Sequence, residues 1–179
     1  MANNSTDRVV TTAHWVFKDN YDLDNIITKD NVMLNYISAM IEVASADGIL
    51  SDVERRWITG YANATGVSQK DIDQLQNYQP KGMSDVLKIF TLENGHAHAK
   101  YGQLSMIYDA FRAAGSDGEL HPKEIEAIYA LGKVLGASEE QMKQLHEVYE
   151  EEQRIRRKRL SILFPQGSHT ALTEVEKSY

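Results

Sequence analysis

A shift of 70 residues lays the chain over itself, aligning Asn31–Gln79 with Tyr101–Tyr149 without a gap. Twelve of the 49 paired positions are identical, where roughly three are expected from ordinary residue frequencies. The identities fall in groups. Leu34/Leu104, Ile37/Ile107 and Ala44/Ala114 mark an apolar face; Asp47/Asp117, Gly48/Gly118, Leu50/Leu120 and Glu54/Glu124 mark a turn; Gly66/Gly136 and Ser68/Ser138 mark a second joint. Such a chain is built from two copies of one supersecondary unit.

Each copy reads as three helices. Leu34, Ile37, Met40, Ile41 and Ala44 recur at steps of three and four, the spacing of one buried helical stripe. Leu104, Ile107, Phe111 and Ala114 repeat it. A second helix follows each Asp-Gly turn. Gly66 and Gly136 then suit the left-handed conformation that closes a helix, and Ser68 and Ser138 suit the N-cap of the next. Between the copies, Met83–Leu92 reads as a linking helix.

The expected fold is all-α, two three-helix repeats with about seven or eight helices and no sheet. The expected organisation is an N-terminal extension (1–30) with a short helix near Thr11–Phe17, one helical domain (31–164) holding repeats 31–79 and 101–149, and a loosely attached tail (165–179). The third helix of the second copy is expected to run on through "EEEQRIRRKRLSILF".

The chain contains no Cys, which excludes disulfides, thiolate metal sites and a cysteine nucleophile. Its start lacks a basic segment followed by an apolar run, and no window approaches the roughly 20 apolar residues of a membrane span. A cytoplasmic location is therefore expected. Charge is uneven: Arg154–Arg159 holds five basic residues, and removing them from a net charge of −7 leaves −12 on the rest. An acidic body of that kind disfavours nucleic acid and favours cations.

The stretch "VASADGILSDVE" resembles the second half of a calcium-binding EF-hand loop. In that register Asp47 and Asp117 fall fifth, Gly48 and Gly118 sixth, and Glu54 and Glu124 twelfth, where a calcium loop places a ligand, its sharp bend and its bidentate Glu. The first ligand position holds Val43 or Ala113, so an ordinary EF-hand is not expected.

Two readings of the turns stand side by side. In the structural one, Asp and Gly shape the bend and Ser51 with Glu54 forms a capping box. In the second copy the N-cap position is His121, where no reciprocal Ser–Glu box is expected, and Pro122 takes the favoured first helical position. In the other reading, Asp47 with Glu54, and Asp117 with Glu124, are pairs of oxygen ligands that hold a divalent cation, Ca²⁺ or Mg²⁺, at one or both turns with water completing the shell; Asp52 and Glu119 lie nearby.

A helix ending in A-x-x-DG, an apolar residue, a Glu on the next helix and then LG-x-S-x-x-Q resembles the TerB-like family, named for a tellurite-resistance protein. The likeness is best over Leu104–Glu150 and extends to Leu34–Leu75. It implies an all-helical fold with internal pseudo-twofold symmetry, a metal-binding role for the acidic residues at the turns, association with stress-response or membrane-linked complexes, and no established catalysis. Residues 1–30 and the basic C-terminal helix lie outside the pattern.

Glu93 and His96 have the spacing of a di-iron ligand pair, but no second E-x-x-H occurs and such sites need two. That segment reads as a loop leading into a helix. Phosphate-loop, dinucleotide, zincin and nucleophile-elbow motifs do not occur, so no enzyme is expected. The basic helix with Arg154, Arg156, Arg157, Lys158 and Arg159 has two readings. One is a solvated helix with acids preceding bases; the other is a docking surface for a protein partner or an anionic membrane.

Overall fold

The computed structural model describes residues 3–24, 30–91, 102–170 and 173. They form α1 (Asn3–Tyr21), α2 (Asp30–Ala44), α3 (Asp52–Ala64), α4 (Gln69–Gln76), α5 (Met83–Thr91), α6 (Gln103–Ala114), a 3-10 turn (Gly115–Asp117), α7 (Pro122–Leu135) and α8 (Glu139–Leu163). No strand occurs among them. Each copy has the expected order of helix, Asp-Gly turn, helix, Gly-x-Ser joint and helix. Glu93 and His96 lie outside the described residues.

The contacts divide the chain into two compact units, residues 1–138 and 139–179. In the first, α2 and α6, the opening helices of the two copies, pack against each other, with α3 on α2 and α7 on α6. Ile37, Met40, Ile41 and Ala44 of α2 are fully buried, which is the stripe that the 3.6-residue period requires. Ile107, Ala110, Phe111 and Ala114 do the same for α6. Ala113 joins the cluster built around Ile37, Ile41 and Ile58, so the apolar core runs from one copy into the other. Each buried Ile or Phe contributes about 1.5–3 kcal/mol relative to exposure.

The joints follow local chemistry. Ser68 Oγ accepts from the Asp71 N–H at the start of α4. Gly66 and Gly136 take φ of +88° and +83°, a region costly to residues with a Cβ. The N-terminus departs from expectation: α1 is 19 residues long, not a short helix near Thr11–Phe17. Ala13, Val16 and Phe17 are buried and α1 packs on α3, so tertiary burial extends a helix whose polar sequence shows little periodicity.

The second unit holds α8, 25 residues long. Arg154 Nη2 meets Glu151 at 2.9 Å, and Glu150 faces His146 at 3.9 Å. No helix among the described residues is long and apolar enough to cross a membrane.

Candidate functional site

The two Asp-Gly turns are built alike. Asp47 Oδ1 accepts from the Ile49 N–H at 2.8 Å, and Asp117 Oδ1 from the Glu119 N–H at 3.0 Å. Each bond closes an Asx turn. Gly48 and Gly118 follow the aspartates with φ of +104° and +106°. Val43 and Ala113 are fully buried in the core, so the first ligand position of a calcium loop is occupied by packing residues.

Helix α3 opens with the expected capping box: Glu54 N–H donates to Ser51 Oγ at 3.2 Å, and Ser51 N–H to Glu54 Oε2 at 2.7 Å. The second copy departs from expectation. His121 replaces the missing Ser: its Nδ1 accepts from the Lys123 N–H at 3.2 Å, while Glu124 Oε2 accepts from the His121 N–H at 2.7 Å. A neutral imidazole nitrogen accepts much as a hydroxyl does. Capping therefore accounts for Glu124 as well as Glu54.

Capping does not account for their burial. Glu54 and Glu124 are 3% and 4% exposed, although a capping-box Glu sits ordinarily in water. They are buried against each other. The two carboxyls are within hydrogen-bonding reach, with Asp117 acting on Glu54 and Asp47 on Glu124. The two glutamates thus meet across the two copies, where the sequence suggested pairs of Asp with Glu within each turn.

Burial is the largest cause pushing the Glu124 carboxyl up, to about 8, with the Glu54 charge beside it and then Asp47 adding to the shift against the His121 N–H. Glu54 is raised too, first by burial, while its Ser51 contacts and the bond from Glu124 hold it lower. One proton between them, carried by Glu124 and donated to Glu54, is the arrangement that two adjoining carboxyls require.

This geometry sets what a cation would find. Among the described residues no three acidic or histidine side chains form a ready ligand cage. The Glu pair offers two carboxyls whose Oε2 atoms are tied to cap N–H groups. Asp47 and Asp117 each keep Oδ2 outside the Asx bond. An all-oxygen donor set suits Ca²⁺ or Mg²⁺ completed by water; it does not fit a closed protein cage. Asp52 and Glu119 are exposed.

Two further buried carboxylates had not been anticipated. Asp109, fully buried on α6, accepts at Oδ2 from the hydroxyls of Tyr21, Tyr36 and Tyr61 at 2.5, 2.8 and 2.6 Å. Its Oδ1 accepts from Arg112 Nη1 at 3.1 Å, which also reaches Asn20. Burial and the Asp109 charge push the three phenols well above their usual range, so all remain donors. Glu42 accepts from the Tyr78 hydroxyl and from the Lys81 and Gly82 N–H groups, fastening the linker before α5. The available signal was an acid inside an apolar stripe, Asp109 between Met106 and Ala110.

Comparison with known proteins gives one solved structure. It is a tellurite resistance protein from Nostoc punctiforme PCC 73102, 28% identical in sequence, matching 90% of this chain and 98% of its own with a TM-score of 0.70. Scans of family profiles and of curated proteins returned no match. The chain is all-α over its described residues and shares its fold with the Nostoc protein. The TerB-like resemblance carried by its Asp-Gly turns holds at the level of the whole structure.

Proposed function

We infer that the chain is a non-enzymatic TerB-like module whose two turns jointly hold one divalent cation, Ca²⁺ or Mg²⁺, in place of the proton shared by Glu54 and Glu124. The observation that carries this reading is the burial of the two capping glutamates, one from each copy, against each other, where the negative charge of the opposite turn's aspartate adds to the repulsion. Glu54 and Glu124 would be the direct ligands, and Asp47 and Asp117 would supply charge and accept from bound water. The bound ion would remove the repulsion that now requires a proton, tying the copies together at their turns. Tellurite resistance, the property named for the Nostoc protein, is the setting we attach to it.

Proton and cation compete for the same oxygens, so affinity should rise with pH. A cation at ten times its Kd adds about 1.4 kcal/mol of stability, roughly 3–6 °C in Tm for a chain of this length. Thermal melts with and without Ca²⁺ or Mg²⁺ test this. The rise should be larger at pH 8.5 than at pH 6 and should vanish in Glu54→Gln/Glu124→Gln. A wild-type Tm indifferent to both ions at both pH values removes the cation from the function.

A further inference from the structure

Helix α8 carries an exposed apolar stripe separate from its buried residues. Val148, Ile155 and Ile162 recur every seven residues, a spacing that drifts only about 20° per step around a helix, so they share one face. They are 48%, 49% and 70% exposed, while Met142 and Tyr149, on another face, are buried. The stripe spans about 21 Å at 1.5 Å per residue. An exposed apolar position repeated every seven residues is the seam position of a helix that pairs with another helix.

The charges beside the stripe identify the partner. One flank carries Glu151 and then Lys158; the other carries Glu152 and then Arg159. In each row the acid precedes Ile155 and the base follows it. A second α8 turned end for end about Ile155 sets Val148 against Ile162 and Ile155 against its own copy. The same operation brings Glu151 beside Lys158 and Glu152 beside Arg159, from both directions. A parallel copy would bring like charges together, which is repulsive.

We propose that this face of α8 docks antiparallel onto α8 of a second copy of the chain. It is independent of the cation reading. An anionic lipid surface fits the face less well, because Glu151 and Glu152 flank its N-terminal half. The Arg154–Glu151 contact within the helix involves side chains that are each 63% exposed, and such pairs exchange partners at little cost. Three apolar residues per helix make a small interface, so the association is of modest affinity and weakens with salt.

The absence of Cys permits a direct test in the full chain. Ile155→Cys should be joined to itself by a short bis-maleimide. Val148→Cys and Ile162→Cys should each fail alone and join when mixed. Sedimentation equilibrium should show a monomer–dimer equilibrium that Ile155→Asp abolishes and Lys158→Glu weakens, with Glu151→Lys/Lys158→Glu restoring it; helical circular dichroism should be unchanged throughout. Self-joining of Val148→Cys, or a wild-type chain that stays monomeric at low salt, would overturn the proposal. So would a chain that binds phosphatidylserine vesicles through this face while showing no dimer.

Discussion

A capping glutamate is ordinarily a small contribution to one helix. Glu54 and Glu124 become something else because each is the partner of the other in a buried place. The fold holds a proton at Glu124 up to about pH 8, whereas the unfolded chain releases it near the ordinary value of 4.5. The proton's contribution to stability is therefore complete below pH 4.5 and is lost as pH rises through 8. Urea unfolding of wild type against Glu124→Gln should show it: the variant's stability relative to wild type rises between pH 4.5 and 8 and levels off above. The sequence made these positions visible, since both are Glu at the same place in a repeat. It could not show that the two would meet, because that depends on how α3 and the second turn pack. Asp109 was missed for the opposite reason: its counterpart is Ala39, so the repeat gave no sign of it, its place inside an apolar stripe was the one local signal, and its three tyrosines come from three helices.

Helix boundaries at the turns and joints were legible wherever a residue's own chemistry set them. Ser51, Ser68, Pro122, Gly66 and Gly136 act locally, within four residues, and behave as their types require. His121 was misjudged because its capping depends on which ring nitrogen is unprotonated, which residue type alone does not reveal. Helix α1 was cut short because its length comes from docking, not from propensity. The glycines of the turns make the local control measurable. At Gly118 a Cβ would meet nothing within 4 Å, so the cost of Gly118→Ala is that of the left-handed backbone alone, about 1–2 kcal/mol. Chemical denaturation should find that loss, with Gly118→Asn costing less because Asn tolerates the region.

Because Ala113 of the second copy lies in the same apolar cluster as Ile37 and Ile58 of the first, the repeats within residues 1–138 cannot unfold as separate beads. Ile37→Ala, at a fully buried position, should cost about 2–5 kcal/mol. Hydrogen exchange should register it equally in the slowest amides of α3 and α7; a loss confined to α3 would mean that the copies open independently. The Asp109 cluster has a related consequence for how the molecule comes into being. Its tyrosines lie 88, 73 and 48 positions before the carboxylate they share. On the ribosome, α1, α2 and α3 emerge with three hydroxyls directed at an acceptor that does not yet exist. These hydroxyls can be satisfied by Asp109 only after α6 has emerged, so the closure of this cluster belongs to the late part of synthesis.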